Sequence, residues 1–117
     1  MASPIQVRCA AMSKLIPVAH VAELPPGSRL HFDLEEESII VLNIDGDYFA
    51  IADLCTHDGG PLADGEVCDH EIECPRHGAR FDVRTGRVTR LPATASIPTY
   101  AVTVTDGMIY VEEPDYW

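Results

Sequence analysis

Short segments rich in β-branched and aromatic residues recur along most of this chain, and each ends at a turn that contains glycine or proline. The segments SIIVLNI and YFAIADL flank the Asp-Gly pair that ends at Gly46, and PTYAVTVT and MIYVEE flank the pair that ends at Gly107. Asp-Gly pairs between such segments favour tight turns with positive φ, so each predicts an antiparallel hairpin. The segments ARFDV and RVTRL around Gly86 predict a third hairpin, and RLHFDL predicts a further strand.

The chain shows no long stretch with helical periodicity. The segment VAHVAEL, residues 18–24, predicts at most one or two helical turns before a pair of prolines ends it. We therefore predict an all-β fold, a sandwich or small barrel of antiparallel strands. A chain of 117 residues has room for one domain, so residues 1–117 are predicted to form a single domain in which residues 1–13 are a flexible extension.

The charge balance narrows the range of partners. The 19 acidic and 8 basic side chains give a formal net charge of −11, which would repel nucleic acids and anionic membranes. A protein partner with a positively charged face fits better. No apolar run reaches the roughly 18 residues that a membrane span requires, and the first residues lack the apolar core of a signal peptide. We therefore predict a cytoplasmic protein that binds neither nucleic acid nor membrane.

Two segments each combine a cysteine and a histidine at a stiff turn. In CTHDGGPLADG, Cys55 is followed closely by His57, and in CPRHGARFD, Cys74 is followed by His77. Each segment follows a strand-like sequence, IADL or EIE. A strand that ends in a stiff loop can direct two side chains at one point with little loss of conformational entropy. The two segments together predict a metal site.

Two thiolates and two imidazoles suit either a tetrahedral zinc ion or an iron-sulfur centre with mixed ligands. Zinc sites usually take their ligands as pairs of cysteines and pairs of histidines, whereas here each segment contributes one residue of each kind. A two-iron cluster could bind both thiolates on one iron and both imidazoles on the other. The spacing favours that cluster, with a structural Cys2His2 zinc module as the alternative.

The spacing resembles that of the Rieske [2Fe-2S] proteins, whose motif is Cys-x-His, a spacer, and then Cys-x-x-His. Residues 58–73 are the spacer here, and the segments HGARFD and LPATASIPTYAVTVTDGMIYV also resemble the family, so the resemblance covers most of residues 15–112. It implies an antiparallel β-sandwich base domain with a small two-loop cluster-binding subdomain, residues 54–82. It also implies one Rieske-type [2Fe-2S] cluster, and the four ligands that the motif assigns to it are Cys55, His57, Cys74 and His77.

Departures from the high-potential Rieske proteins of respiratory complexes indicate a low reduction potential. Those proteins carry one further cysteine in each loop, and the two form a disulfide; the matching positions here are Gly60 and Arg76. They also carry a serine and a tyrosine whose hydroxyls donate hydrogen bonds to the cluster, where this chain has Ala79 and Phe81. Fewer donors stabilise the reduced, more negative centre less. We therefore expect a potential near the low end of the Rieske range.

The resemblance implies a small soluble electron carrier, similar to the ferredoxin components of bacterial ring-hydroxylating dioxygenases. Such a protein accepts single electrons from a flavin-dependent reductase and passes them to a terminal oxygenase by transient docking. It is not itself an enzyme, and the sequence shows no nucleophile next to a base and no glycine-rich phosphate loop. The small subunit of an assimilatory nitrite reductase, a redox sensor and the zinc module are the alternatives that the sequence leaves open.

The resemblance also places the two ligand histidines at an exposed tip. Leu62, with Asp58 and Asp64 nearby, is expected to form a small apolar rim there for brief docking. The segment LPATASIP, which contains Pro92 and Ala93, resembles the third loop that covers the cluster in relatives.

The other cysteines and histidines have no metal-site spacing. Cys9 is predicted to be a free thiol inside the flexible extension, and Cys68 is predicted to be a small, partly buried residue. Lone histidines more often lie on a surface or in a core than on a metal, so His20, His31 and His70 are assigned no role.

Overall fold

The computed structural model of the protein describes residues 13–35 and 37–114, and these residues form eleven strands and one turn of 3-10 helix, Val21–Glu23. The strands are β1 (Ser13–His20), β2 (Arg29–Asp33), β3 (Ser38–Ile44), β4 (Asp47–Ala52), β5 (Val67–Cys68), β6 (Glu71–Glu73), β7 (Arg80–Asp82), β8 (Val88–Arg90), β9 (Thr99–Tyr100), β10 (Val102–Thr105) and β11 (Met108–Pro114). This content confirms the predicted all-β fold.

Two further sequence predictions concern the N-terminal extension and the absence of a membrane span. Of the extension predicted over residues 1–13, only Ser13 lies within the described residues, where it begins β1; Cys9 lies outside them. Among the described residues, no helix is long and apolar enough to cross a membrane.

The strands form three antiparallel sheets. An outer sheet has the order β1-β11-β10, a central sheet has the order β2-β3-β4-β9, and a loop-bearing sheet has the order β5-β6-β7-β8. One hydrophobic core lies between the outer and central sheets. A second core lies between the central sheet and the loop-bearing sheet. The predicted sandwich therefore carries a third, smaller layer on the far side of its central sheet.

The central sheet is apolar on both faces. Successive side chains of a strand point to opposite faces, so Ile39 and Val41 of β3 enter the first core while Ile40 and Leu42 enter the second. This is why SIIVLNI reads as a nearly unbroken apolar run and not as an alternating one. Burying such side chains is worth about 1.5–3 kcal/mol each, so the second core fixes the loop-bearing sheet firmly on the sandwich.

Local turn chemistry produces the predicted hairpins. Asp45 and Gly46 have φ of +53° and +96° between β3 and β4, and Asp106 and Gly107 have φ of +52° and +80° between β10 and β11. Two residues with positive φ make the type I′ turn, whose twist matches that of antiparallel strands. The third predicted hairpin, β7 with β8, turns through Gly86.

One sequence prediction is incomplete and another is wrong. VAHVAEL contains one 3-10 turn, within the predicted limit of one or two turns, but its first half continues β1, which pairs with β11. Pro17 obscured this strand; it is tolerated because β1 is an edge strand with a register shift beside Pro17. The segment PTYAVTVT is two strands, since β9 pairs with β4 in the central sheet whereas β10 pairs with β11 in the outer sheet. The chain changes sheets at Ala101.

Gly86 provides a test of how the third loop is fixed to the loop-bearing sheet. A methyl group at Gly86 would overlap the carbonyl oxygen of Ile97, whereas the surroundings of Gly46 are open. Both glycines have positive φ, which costs an alanine roughly 1–2 kcal/mol. We expect Gly86→Ala to lower the free energy of unfolding by about 1–3 kcal/mol more than Gly46→Ala, because only the former is also overpacked.

Urea unfolding of the two variants and the unsubstituted protein measures this difference. Equal losses in the two alanine variants would mean that the contact with Ile97 does not constrain the fold.

Candidate metal centre

The first ligand loop, residues 54–66, begins with a hydrogen-bonded turn. The Cys55 N–H donates to the carbonyl of Gly60 at 2.7 Å, and the Gly59 N–H donates back to the carbonyl of Cys55 at 2.7 Å. Gly59 has φ of +77°, a conformation that glycine adopts without strain. The turn buries Cys55 at its start and exposes His57 at its apex.

The second ligand loop, residues 74–79, has the same frame. The Cys74 N–H donates to the carbonyl of Ala79 at 2.7 Å, and the Gly78 N–H donates to the carbonyl of Cys74 at 3.0 Å. Gly78 has φ of +80°. Like the first ligand loop, this loop buries its cysteine and exposes its histidine, His77. One backbone design is therefore used twice, once after β4 and once after β6.

Asp53 fixes the far half of the first ligand loop. One of its carboxylate oxygens accepts hydrogen bonds from the N–H groups of Leu62 at 2.6 Å and Ala63 at 3.0 Å. The other lies 3.3 Å from His31 Nε2, and the Asp53 side chain is only 6% exposed. Arg29 donates to the carbonyl of Ala63 at 2.8 Å. Two side chains of β2 thus hold this loop, a role that sequence reasoning did not assign to Arg29 or His31.

The four predicted ligands converge on one end of the molecule. The sulfurs of Cys55 and Cys74 lie within 4.8 Å of each other and of an Asp58 carboxylate oxygen, and the two thiols are 0% and 1% exposed. Ring nitrogens of His57 and His77 also lie within 4.8 Å of each other, with ring centroids 4.9 Å apart and planes at 83°. The sulfurs are on the buried side of this end and the imidazoles are on the solvent side.

The electrostatic environment favours loss of a proton from one of the two thiols, Cys74. Burial raises the pKa of the Cys55 thiol, which shares a hydrogen bond with Cys74. Burial acts in the same direction on Cys74, but backbone donors at Arg76 and His77 outweigh it, so the pKa of that thiol is lowered. Backbone N–H groups directed at a sulfur stabilise the thiolate, which is the form that binds metal.

The separation of the donors fits a centre with two metal positions. A tetrahedral zinc ion would bring all four donor atoms within roughly 3.3–3.8 Å of one another. Among the described residues the donors instead form two groups, one with both sulfurs and one with both imidazoles, and no group within 4.8 Å contains all four. Two cysteines at one position and two histidines at the other is the donor set of a mixed-ligand [2Fe-2S] centre.

An ion pair joins the two ligand loops beside these donors. Arg76 donates from Nε to Asp58 Oδ2 at 2.5 Å, from Nη2 to Asp58 Oδ1 at 3.0 Å and from Nη1 to the carbonyl of Pro61 at 2.8 Å. The guanidinium holds the pKa of the Asp58 carboxyl well below its usual range. Asp58 also accepts from the Gly60 N–H at 2.9 Å and lies 3.4 Å from His77 Nδ1.

The third loop, residues 91–98, packs against the first ligand loop. The Thr56 hydroxyl donates to the carbonyl of Ala95 at 2.6 Å. Ala93 and Ile97 are buried in the second core with Cys55 and Cys74. Leu91 is 71% exposed and so presents apolar surface on this loop.

Three other sequence predictions meet different outcomes here. Leu62 was expected to form an exposed apolar rim, and this is wrong: it is fully buried in the second core, because Asp53 binds its backbone and turns the side chain inward. Cys68 was expected to be partly buried, and this is wrong: it is an exposed free thiol on the edge strand β5, away from Cys55 and Cys74. His70 packs edge-on against Phe49, with ring centroids 5.7 Å apart.

Asp53 offers a test of how the first ligand loop is held. Hydrogen bonds to a charged acceptor contribute about 1.5–3 kcal/mol each, and Asp53→Ala removes two of them from a buried site. We expect this variant to lose about 3 kcal/mol of unfolding free energy, measured by urea unfolding of freshly purified protein. Asp33→Asn is the matched control, since Asp33 also lies near His31 but its side chain is 74% exposed.

The control should change stability by less than roughly 0.5 kcal/mol. A similar small change in Asp53→Ala would show that this carboxylate does not hold the loop.

Comparison with known sequences points to one family. The sequence model of the Rieske [2Fe-2S] domain matches residues 14–101. The 3-phenylpropionate/cinnamic acid dioxygenase ferredoxin subunit of Photorhabdus laumondii is 40% identical over 101 residues, and the match covers 86% of this chain and 94% of that protein.

Solved structures show the same relationship. The ferredoxin of carbazole 1,9a-dioxygenase from Nocardioides aromaticivorans IC177 has a TM-score of 0.79 at 36% identity, over 83% of this chain and 95% of that chain. A chain in a complex of reduced oxygenase and oxidized ferredoxin in carbazole 1,9a-dioxygenase has a TM-score of 0.79 at 25% identity, over 91% of this chain and 97% of that chain.

Proposed function

Because this chain belongs to the Rieske [2Fe-2S] domain family, we propose that it carries single electrons from a flavin-dependent reductase to a terminal oxygenase. The observation that carries the proposal is the convergence of two buried thiols and two exposed imidazoles at one end of the fold. The bound [2Fe-2S] cluster supplies one-electron oxidation and reduction. The chain is an electron-transfer component and not the catalytic enzyme of such a system, as in the dioxygenase ferredoxins that it resembles.

We assign the four ligands by their places in the two loops. The Cys55 and Cys74 thiolates would hold one iron of the cluster, and the His57 and His77 imidazoles would hold the other. The repeated loop frame keeps each cysteine inside and each histidine outside. Residues 54–82 form the proposed cluster-binding subdomain, although the sheet that supports the loops continues to β8.

The exposed imidazoles are the proposed contact for both partners. The His77 side chain is 48% exposed, so a partner that docks on this end approaches the centre without opening the fold. The strong net negative charge favours a partner with a positively charged face. Leu91 supplies exposed apolar surface on the adjacent third loop, in place of Leu62. Such a small contact suits transient docking.

The reduction potential and the cellular location complete the proposal. Ala79 and Phe81 are fully buried and carry no hydroxyl, which supports a potential near the low end of the Rieske range. The cytoplasmic location stays a prediction from the sequence.

Substitution of single ligands tests the assignment. We expect the purified protein to contain two irons and two acid-labile sulfides and to give a paramagnetic resonance signal when reduced. Each of four variants should lose iron, sulfide and visible absorption: Cys55→Ser, Cys74→Ser, His57→Ala and His77→Ala.

The matched controls are Cys68→Ser and His70→Gln, which should keep full iron and sulfide content because neither side chain reaches the site. A colourless protein with one zinc ion and no sulfide would establish the structural zinc module instead.

Reconstitution tests the proposed partners. We expect the protein to support carbazole oxidation when it is mixed with NADH, a flavin-dependent reductase and the oxygenase of the carbazole 1,9a-dioxygenase system. The Cys74→Ser variant serves as the control without a cluster and should support none. A cluster-containing protein that the reductase cannot reduce and the oxygenase cannot oxidise would contradict this function and favour a nitrite reductase subunit.

A further inference from the structure

The shared frame of the two ligand loops makes their residues comparable position by position. Counted from the cysteine, the second position is His57 in the first loop and Arg76 in the second. The third position is Asp58 in the first loop and His77 in the second. The histidine therefore occupies a different position in each loop. The two positions that carry no histidine hold residues of opposite charge.

These two residues bind each other across the gap between the loops. The contact is a fork in which two guanidinium nitrogens of Arg76 reach the two carboxylate oxygens of Asp58, and a third nitrogen reaches the carbonyl of Pro61. Forked pairs of this kind are geometrically specific and stronger than single hydrogen bonds. The Arg76 and Asp58 side chains are 33% and 22% exposed, so solvent screens them only in part.

Gly60 leaves the space that the guanidinium occupies. A methyl group at Gly60 would lie 2.7 Å from Arg76 Cζ and Nη2, closer than carbon atoms pack. Unlike Gly59, Gly60 does not have positive φ, so its lack of a side chain is not required by the backbone. Gly60 must lack a side chain because the Arg76 guanidinium occupies the space that a side chain would need.

We propose that Asp58 and Arg76 are positioning residues that tie the two ligand loops together and set the placement of His57 and His77. The inference rests on the proposed function, because it concerns how the loops hold a metal centre. Asp58 is placed to affect both histidines. It directly follows His57 in the first ligand loop, and it binds Arg76 and lies 3.4 Å from His77 Nδ1 in the second. Loss of the pair frees each loop to move relative to the other without opening either hydrophobic core.

Arg76→Gln tests the tie by removing the charge and the fork. We expect it to speed the loss of visible absorption in excess EDTA by about tenfold, equivalent to roughly 1.4 kcal/mol of loop closure. We also expect a changed paramagnetic resonance spectrum of the reduced protein. Arg76→Lys keeps the charge but cannot form the fork, so its rate should be intermediate.

The matched control is Arg84→Gln. Arg84 forms a similar fork with Asp82, at 3.1 Å and 2.9 Å, but both residues lie in one turn and tie no loops together. Its rate of absorption loss should stay within about twofold of the unsubstituted protein.

Gly60→Ala tests the same tie without altering any charge. The added methyl group should displace the guanidinium and give a rate of loss close to that of Arg76→Gln. The double variant, Gly60→Ala with Arg76→Gln, should lose visible absorption no faster than the faster of the two single variants. Without Arg76 the added methyl group has no guanidinium to displace. Additive effects would overturn the proposal, as would an Arg76→Gln variant indistinguishable from Arg84→Gln.

Hydrogen exchange in the metal-free protein separates this inference from the proposed function. We expect Arg76→Gln to speed exchange of the Cys55, Gly59, Cys74 and Gly78 amides about tenfold while the amides of β3 and β4 are unchanged. Unchanged loop exchange would overturn the tie even if the iron content supports the electron carrier. Faster loop exchange in a protein that never binds iron and sulfide would support the tie and contradict the proposed function.

Discussion

The central sheet of this protein must be covered on both faces, and this requirement determines where the metal-binding loops lie. Residues of β3 alternate between two cores, so a single partner sheet would leave half of them in water. The loop-bearing sheet covers the second face, and Ile72 and Phe81, paired across β6 and β7, are fully buried there. Cys55 and Cys74, the cysteines proposed as ligands, belong to that same core, so the proposed metal site is built onto the hydrophobic packing that holds the fold together.

This placement gives the two kinds of donor different surroundings. The thiols sit where the core excludes water, and backbone N–H groups favour the ionised form of Cys74, while the imidazoles remain at the surface. A carrier of single electrons needs both conditions, because its centre must be held rigidly and also be approached by a partner. The repeated turn at Cys55 and Cys74 provides both with one backbone arrangement.

Much of this could be predicted from the sequence, because the relevant chemistry is local. Two Asp-Gly pairs fix their own hairpins, and the four predicted ligands lie in two short segments whose spacing resembles that of a known family. Features that depend on contacts between residues far apart in the sequence could not be predicted from local patterns. PTYAVTVT has the composition of one strand, but which sheet each half joins depends on β4 and β11. The pair between Asp58 and Arg76 and the burial of Leu62 likewise depend on how two loops meet.

The burial of the ligand cysteines has a consequence for chemical damage. Dissolved peroxide and small-molecule disulfides react with thiols that they can reach. Cys68 is exposed and the two ligand sulfurs are not. Among the described cysteines, oxidants in solution therefore meet Cys68 first, and the sulfurs proposed to hold iron are shielded for as long as the second core stays closed.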